Sequence, residues 1–383
     1  MQIMSGKSRR LRIGIVCYPT YGGSGVVATE LGIALARRGH EVHFFSYQPP
    51  FRLPPGVPRI FFHEVRVPSY PLFRYPSYDL ALACTIADVL DRSPLDLLHV
   101  HYALPHTLSA CLALEMRPGI RTRVLTTLHG TDIALVEDCG AYACATRLAL
   151  KKSHGLTAVS GFLRDETRRR FFFRGPIEVI PNFVDARVFR PCPAGKRRRP
   201  WTRPGEKLMV HLSNFRPVKR TEDAIRVFAR VAEDVPSRLL LVGDGPRLPA
   251  ARELARELGV ERRVICLGQQ DRVHEVLPLA DFFLQTSAFE SFGLAALEAM
   301  SCGVPVASTA CGGPGEFIVD GREGVLAPVG AWTELADKVR ALLLSPGDWG
   351  RMSRRARKRA GAFSRERAVA SYEDCYRRLL REK

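Results

Sequence analysis

Two cations and two carboxylates in the second half of the chain could together bind a phosphorylated ligand. Arg216 and Lys219 follow an apolar, strand-like segment, and Glu290 and Glu298 stand eight positions apart further along the chain. Arginine neutralises a diphosphate through its planar fork, and lysine does so as a point charge. A solvated basic loop would also account for the two cations. The carboxylates that follow them favour a binding site.

The two carboxylates stand on either side of a predicted helix start. Glu290 falls in a loop, and Glu298 falls about one turn inside a helix that Gly293 opens. The free N–H groups at such a start favour an anion. The carboxylates could therefore grip ligand hydroxyls while the amides hold phosphate. This arrangement argues against the paired acid and base of a glycoside hydrolase.

A tight turn in the same half, Val242-Gly-Asp-Gly-Pro246, ends another strand-like segment. Its glycines would let a flat base lie against the backbone, so Gly243 and Asp244 are candidate nucleotide-binding residues. The chain contains no D-x-D motif, the closely spaced carboxylates with which enzymes commonly hold a nucleotide diphosphate through a metal. We therefore expect no metal ligands and no metal or other cofactor.

A glycine-rich turn near the start, Gly22-Gly-Ser-Gly25, reads G-x-G-x-x-A from Gly23 to Ala28. A nicotinamide or flavin site should also have an acidic residue at the end of the second strand. That strand ends Phe45-Ser-Tyr-Gln48, without a carboxylate. The turn is better explained as an anion site at a helix start, and a merely tight strand–helix turn stays open.

A polar segment, Thr126-Thr-Leu-His-Gly-Thr-Asp132, closes a strand of the first half. His129 is either a packed side chain or a substrate contact. Gly130 and the flanking threonines favour a contact, because they suit a tight site better than a core.

The elements that must position these residues alternate between strand and helix. In the first half, strand Leu11–Cys17, helix Val26–Arg38 and strand Glu41–Ser46 form a βαβ unit. Further strands are predicted at Leu97–His101, Val124–Leu128, Gly155–Val159 and Ile177–Ile180. A proline-rich break at 190–205 separates the halves.

After the break the alternation restarts. Strands are predicted at Leu208–Leu212, Ser237–Val242, Arg263–Leu267, Phe282–Gln285 and Val304–Ser308, and helices at Thr221–Val231, Leu248–Leu258, Gly293–Ser301 and Ser364–Arg381. We therefore predict an α/β protein with two Rossmann-like, doubly wound domains facing across a cleft, residues 1–190 and 205–363.

Composition limits the alternatives without choosing between them. The 383 residues suit two domains, and no run of about 18 apolar residues could span a membrane. A formal net charge of +18 indicates anionic partners but does not identify them. The ten cysteines form no C-x-x-C pair, so reduced thiols in a cytoplasmic protein are expected.

Together these residues resemble the retaining glycosyltransferase family 4, which has the GT-B fold. The resemblance runs from Gly14 to Leu380 and rests on the E-x7-E element, the Gly-Asp-Gly-Pro turn, the basic pair and two closing segments, Phe363–Arg367 and Tyr372–Tyr376. In that fold the last helix returns to the first domain. The resemblance therefore implies that residues 364–383 pack back on residues 1–190.

The resemblance also implies a role for each candidate residue. Arg216 and Lys219 would hold the diphosphate of a UDP-sugar, Glu298 its ribose, and Glu290 and His129 the sugar. The implied catalytic residues are His129, Arg216, Lys219 and Glu290, and the implied donor-binding residues are Gly23, Gly243, Asp244, Phe292, Gly293, Leu294 and Glu298. Acceptor binding would involve Ser24, Tyr102, Thr127 and Arg147. Many relatives carry the phosphate arginine two positions earlier, where this chain has Asn214.

Within the family, the likeness is to members that transfer N-acetylglucosamine from UDP-GlcNAc to L-malate, the first step of bacillithiol synthesis. It rests on segments longer than the family marks, namely Cys17–Gly25, Pro50–Leu53, Tyr75–Ala83, His99–His106, Thr126–Asp132 and Ser213–Arg220. We expect UDP-GlcNAc and L-malate as partners, no nucleic acid and no integral membrane segment. A peripheral membrane contact and a homo-oligomer stay open.

Two other interpretations also stay open. A family 4 transferase acting on a lipid-linked or phosphorylated polyol acceptor would use the basic surface at a membrane. A basic nucleotide-binding protein without enzymatic activity would need aromatic residues among its arginines. Only Phe171–Phe173, after Arg168–Arg170, suggests the latter, and packing explains that run better.

Overall fold

The computed structural model describes residues 9–20, 22–68, 77–134, 140–193 and 200–382. The chain divides into two compact units. The first unit comprises Met1–Pro181 together with Arg365–Lys383, and the second comprises Asn182–Ser364.

The first unit is built on a parallel sheet. Within the described residues its strands are β1 (Arg12–Val16), β2 (Glu41–Ser46), β3 (Ile60–Glu64), β4 (Leu97–His101), β5 (Arg123–Leu128), β6 (Gly155–Ala158) and β7 (Glu178–Val179). They are arranged in the order β3-β2-β1-β4-β5-β6-β7. The order reverses direction at β1, as in a doubly wound sheet, and such a sheet exposes its ligand-binding residues at the carboxyl ends of the strands.

Helices cover the sheet of the first unit. They are α1 (Gly23–Arg37), α2 (Tyr78–Arg92), α3 (Leu108–Glu115), α4 (Thr131–Ala134), α5 (Gly140–Lys152) and α6 (Gly161–Phe171). Leu82, Ile86 and Leu90 of α2 pack with Leu98 and Val100 of β4 in a fully apolar cluster. Both sheet faces are covered, so the central strands β1, β4 and β5 are buried along nearly their whole length.

The second unit repeats this architecture. Its strands are β8 (Lys207–Leu212), β9 (Ser237–Val242), β10 (Val264–Gly268), β11 (Phe282–Gln285), β12 (Val306–Thr309) and β13 (Gly324–Ala327), and its helices are α7 (Thr221–Asp234), α8 (Leu248–Glu257), α9 (Val273–Val276), α10 (Leu294–Ser301), α11 (Trp332–Leu343) and α12 (Pro346–Ala360). The parallel strands follow the order β10-β9-β8-β11-β12-β13. The prediction of two Rossmann-like α/β units is confirmed.

The last helix, α13 (Arg365–Arg381), belongs to the first unit. Glu373, which is 4% exposed, forms an ion pair with Arg38 (3.1 Å) and accepts a hydrogen bond from Nε2 of His40 (3.0 Å) at the junction of α1 and β2. Tyr376 is fully buried, and its hydroxyl lies 2.7 Å from Nδ1 of His99 on β4. Because both residues are buried, α13 forms part of the core of the first unit.

The boundary between the units differs from the predicted one. The sequence placed residues 182–190 in the first domain, and the structure assigns them to the second unit. The N–H of Val184 donates to the carbonyl of Phe363 (3.0 Å), and Ser301 donates to the carbonyl of Phe189 (2.6 Å). These bonds attach the segment to the second unit before the proline-rich break begins.

None of the described helices combines the length and apolar character needed to cross a bilayer.

Candidate active site

An ion pair joins two of the predicted residues in the second unit. Nζ of Lys219 donates to Oε2 of Glu290 at 2.7 Å, and Oγ of Ser287 donates to the same oxygen at 3.2 Å. The side chains of Lys219 and Glu290 are 22% and 16% exposed. Residues 71 positions apart are therefore brought to one partly exposed position. There a ligand phosphate could replace Glu290 as the partner of Lys219, and a ligand hydroxyl could replace Lys219 as the partner of Glu290.

Hydrogen bonds between two loops hold this pair in place. Lys219 ends a short helical turn, Pro217–Lys219, after β8, and Glu290 follows β11. Oγ1 of Thr286 donates to the carbonyls of Lys219 (3.2 Å) and Arg220 (3.0 Å), and the N–H of Ala288 donates to the carbonyl of Val218 (2.7 Å). The carboxyl ends of β8 and β11 thus fix the cation and the carboxylate relative to each other.

Arg216 precedes the same short turn and is exposed. Its guanidinium forms no ion pair within the described part of the chain. Asn214, two positions earlier, is also exposed. The structure thus leaves Arg216 available for an anion near the Lys219 loop, as its predicted role requires.

The Gly243-Asp244-Gly245 turn lies close against the loop that follows β8. A Cβ at Gly243 would lie 1.9 Å from the carbonyl oxygen of Ser213, and one at Gly245 would lie 2.0 Å from that of Asn214. The glycines are needed because two loops touch through their backbones. That the glycines also let a base lie against the backbone stays a prediction. Asp244 remains exposed at the tip of the turn.

The start of α10 is built as the sequence predicted. Gly293 has a φ of +95° and precedes Leu294, the first helical residue. Phe292 is buried, and the neighbouring backbone packs against Gly313, where a Cβ would lie 2.5 Å from the carbonyl oxygen of Ser291. Glu298, inside the helix, is 6% exposed. The amides of this helix start carry no side-chain cap, so they can hold an anion.

In the first unit, the glycine turn brings Ser24 to Tyr102. Oγ of Ser24 lies 2.6 Å from the Tyr102 hydroxyl, and Gly23 is the first, exposed residue of α1. A Cβ at Gly25 would lie 2.7 Å from the carbonyl oxygens of both Tyr18 and Thr20, so this glycine lets the loop pass over the helix start. Two predicted acceptor ligands therefore meet at the amino end of α1.

Tyr102 is held in an unusual backbone conformation. Its φ is +90°, a value that residues other than glycine rarely adopt, and its N–H donates to the carbonyl of Thr127 (3.0 Å). Its ring lies 5.4 Å from that of His129 and 5.6 Å from that of Tyr18. Strain of this kind collects at functional sites, where the surrounding structure maintains it.

His129 is fixed by neighbours of its ring and its backbone. Its Nε2 lies 2.8 Å from Nδ1 of His101, and the Asp132 carboxylate accepts the backbone N–H groups of His129, Gly130 and Ala103. Burial lowers the pKa of His129 to about 3, so the ring is neutral near pH 7. A neutral, fixed imidazole offers a hydrogen bond to a ligand rather than a charge.

Thr127 does not lie where an acceptor ligand should. It is fully buried, and its Oγ1 is 2.6 Å from both Nε2 of His99 and Oγ1 of Thr157. The prediction that it contacts the acceptor is therefore replaced by a supporting role, because its hydroxyl is already bonded beneath the site.

Arg147 lies on α5, which packs against the Ala103–Thr107 segment that follows Tyr102. Its guanidinium donates to Sγ of Cys144 at 3.1 Å, and its side chain is partly exposed. The helix that carries Arg147 therefore packs against the segment that follows Tyr102. Within the described ranges, no cluster of three or more His, Cys, Asp or Glu residues could hold a metal.

Comparison with known proteins decides the family. A model described as "Glycosyltransferase Family 4" matches residues 21–188, and one described as "Glycosyl transferases group 1" matches residues 195–359. The chain is 44% identical over 375 residues to the N-acetyl-alpha-D-glucosaminyl L-malate synthase of Bacillus anthracis, covering 97% of this chain and 98% of that one. The chain belongs to glycosyltransferase family 4.

Other family 4 relatives and solved structures agree with this fold. A D-inositol 3-phosphate glycosyltransferase of Nocardia farcinica is 28% identical, with 90% of this chain and 82% of that one covered. A sucrose-phosphate synthase from Thermosynechococcus elongatus superimposes with a TM-score of 0.82 at 22% identity, over 98% of this chain and 100% of that one. Anabaena HepE, in complex with UDP and glucose, superimposes with a TM-score of 0.79 at 19% identity, over 96% of this chain and 99% of that one. The predicted GT-B fold is confirmed.

In this family 4 glycosyltransferase, three residues that support the candidate site residues were not predicted from the sequence. Ser287 shares an oxygen of Glu290, and Asp132 holds three backbone amides. Both directly follow strands or lie in segments already singled out, so their positions carried a signal. His101 also lies in a segment singled out above, His99–His106, but a histidine at a strand end is equally typical of a core.

Proposed function

We propose that this family 4 glycosyltransferase transfers N-acetylglucosamine from UDP-GlcNAc to the hydroxyl of L-malate, the first step of bacillithiol synthesis. The observation that carries the proposal is the 44% identity to a malate-transferring relative over nearly the whole of both chains. The contact between Ser24 and Tyr102, and the packing of the helix that carries Arg147 against the segment after Tyr102, support it. A hydroxyl pair, a helix start and an arginine are suitable ligands for a carboxylate.

The second unit supplies the groups for the leaving UDP. Lys219 and Arg216 lie in one loop, and the start of α10 offers free amides. Negative charge develops on the diphosphate as the bond to the anomeric carbon breaks, and fixed cations and amides stabilise it. These groups take the place of a metal in our proposal, so the reaction requires no divalent cation.

Transfer proceeds with retention at the anomeric carbon. The bond from the anomeric carbon to the β-phosphate oxygen breaks, and the malate hydroxyl oxygen forms a bond on the same face. The hydroxyl proton passes to the departing diphosphate, so no protein base is needed. His129 is poorly suited to be that base, because burial lowers its pKa to about 3.

The test combines purified protein, UDP-GlcNAc and L-malate with an excess of chelator. Mass spectrometry should find the N-acetylglucosaminyl malate adduct together with released UDP. Proton NMR of the product should show the small anomeric coupling of an α-linkage. Loss of activity in chelator, restored by a metal, would contradict the metal-free mechanism, and a β-linked product would contradict retention.

A phosphorylated polyol is the second candidate acceptor. The inositol 3-phosphate transferases among the relatives favour it, since they match over most of both chains. The same assay with D-inositol 3-phosphate in place of malate separates the two. Efficient transfer to inositol phosphate, with none to malate, would replace our acceptor while leaving the donor chemistry unchanged.

A further inference from the structure

His101 is a buried histidine at the end of β4 that makes its closest polar side-chain contact with His129. Its Nδ1 lies 2.8 Å from Nε2 of His129, and the rings are stacked at 5.0 Å with 26° between their planes. His101 is fully buried, whereas His129 is 7% exposed. His101 therefore reaches a ligand only through His129.

The surroundings leave His101 and His129 little freedom. Nδ1 of His106 donates to the His101 carbonyl at 2.6 Å, and His99 stacks on the other face of the His101 ring at 4.4 Å. Asp132 holds the backbone of His129. Burial lowers the pKa of His101 and of His129, so both rings are neutral near pH 7. A single proton lies between the two facing nitrogens, and it is covalently bonded to one of them.

The unpartnered nitrogen of His101 decides which one. Nε2 of His101 is buried and has no hydrogen-bond partner in the described part of the chain. If His129 donated to His101, this nitrogen would carry a buried N–H with nothing to accept it. If His101 donates, the nitrogen carries only a lone pair. Buried N–H groups without an acceptor are rarer than acceptors without a donor, which favours donation by His101.

We propose that His101 is a positioning residue that donates from Nδ1 to Nε2 of His129 and so fixes His129 as the Nδ1–H tautomer. Nδ1 of His129 has no protein partner among the described residues and is not among their fully buried atoms. His129 then presents an N–H donor, and not a lone pair, to an oxygen of the bound sugar. This last step rests on the proposed function, because it requires a nucleotide-sugar donor beside His129.

The tautomer can be measured directly, without any substrate. Long-range proton–nitrogen spectra of protein labelled with nitrogen-15 histidine distinguish the two neutral forms, and His129→Asn assigns the His129 signal by its loss. We expect the Nδ1–H pattern for His129 in the wild-type protein. An Nε2–H pattern would overturn the proposal.

Two variants test whether His101 sets the tautomer. His101→Phe keeps a flat ring and removes the donor, so the His129 signal should shift towards the Nε2–H form. His101→Asn places an amide N–H near the former Nδ1 and should retain the wild-type pattern. An unchanged tautomer in His101→Phe would remove His101 from this role. Because the wild-type spectrum decides the first point alone, poor folding of a variant leaves the proposal testable.

Kinetics connect the tautomer to the donor site. In His101→Phe, kcat/KM for UDP-GlcNAc should fall about tenfold, the effect of one lost hydrogen bond, while the malate KM stays constant. His101→Asn should recover most of that loss. His43→Phe, a buried histidine on β2 that bonds Glu41 and His63 instead, is the matched control. An equal loss in the control would show a merely structural effect and would overturn the link to catalysis.

The failure of either proposal can be recognised separately. If wild-type protein transfers no sugar to malate while His129 is the Nδ1–H tautomer, the proposed acceptor is wrong and the role of His101 stands. If transfer to malate occurs and His129 is the Nε2–H tautomer, the proposed acceptor stands and the role of His101 is wrong.

Discussion

At the scale of single residues, the Lys219–Glu290 pair brings opposite charges together at the diphosphate site that we propose. The two side chains are partly buried and 2.7 Å apart. A partly desolvated cation of this kind interacts more strongly with an arriving phosphate than an exposed one does. The carboxylate meanwhile keeps the ammonium oriented until the ligand arrives.

Removing this cation should weaken donor use. Lys219→Ala should lower kcat/KM for UDP-GlcNAc by about ten- to a hundredfold, the range for a lost charge-assisted hydrogen bond. Initial rates at varied donor concentration measure it. Lys207→Ala, at the opposite end of β8, is the matched control. Equal losses in both variants would show that the Lys219 contact is not specific.

Arg147 should act on the acceptor alone. Arg147→Ala should raise the malate KM by roughly tenfold or more and change the donor KM little, because the guanidinium is a proposed ligand of a malate carboxylate. Lys151→Ala, on the same helix and also exposed, should leave both constants unchanged. An unaltered malate KM in Arg147→Ala would remove this residue from the site.

At the scale of elements, the contact between the turn after β9 and the loop after β8 should be sensitive to one methyl group. Gly243→Ala would place a Cβ 1.9 Å from the Ser213 carbonyl at a φ of +117°. We expect the free energy of unfolding of the second unit to fall by more than about 2 kcal/mol. Gly259→Ala has a φ of +68° with nothing within 4 Å and should cost only about 1 kcal/mol.

Tryptophan fluorescence during urea unfolding measures this difference, because Trp201, Trp332 and Trp349 all lie in the second unit. Equal unfolding midpoints for the two variants would contradict the close approach of the two loops.

The histidines at the ends of β4 and β5 should make the first unit acid-sensitive. Burial lowers the pKa of His99 and His129 to about 3 and that of His106 to about 4, below the ordinary value of 6.5. Below about pH 6.5 the unfolded chain therefore binds protons that the folded unit refuses. Stability falls as pH falls, by about 1.4 kcal/mol per pH unit for each such histidine.

Urea unfolding at about pH 7.5 and about pH 5.5 checks this slope. Circular dichroism reports on the whole protein, and tryptophan fluorescence reports on the second unit, where burial lowers the pKa of His211 to about 4. The circular-dichroism transition should shift more than the fluorescence transition. Equal shifts of both would argue against the histidine cluster as the cause.

Most of the strands could be predicted because each βαβ unit is marked locally, although the edge strands β3 and β13 were not among them. The carboxyl ends of β8 and β11 were placed correctly, and with them Lys219 and Glu290. The burial of Thr127 could not be predicted, because only the packing of β5 against β4 and β6 shows that its hydroxyl is already bonded. The same holds for Gly243, whose neighbour is a backbone carbonyl 30 positions away.

At the scale of the whole molecule, the first unit is completed by a helix that follows the second unit in the chain. Glu373 on α13 is buried against Arg38 and His40. Removal of one carboxylate should therefore loosen the first unit and spare the second. We expect Glu373→Ala to destabilise the first unit by about 2–4 kcal/mol, since it removes the buried carboxylate that Arg38, His40 and Arg377 all contact.

Hydrogen exchange of peptides from α1 and β2, compared with peptides from α7 and β9, measures this effect. Asp374→Ala, which removes an exposed carboxylate paired with Arg377, is the matched control from the same helix. Faster exchange in both units, or in neither, would contradict the assignment of α13 to the first unit.

The return of the chain to its first unit also sets an order of assembly during synthesis. Residues 182–364 form a contiguous body, so the second unit can complete its contacts as soon as they leave the ribosome. The first unit, although translated earlier, must wait for α13 to cover β5 and α1. A nascent chain therefore carries an unfinished amino-terminal sheet while its later half is already folded, and this sheet is the part that a chaperone would meet.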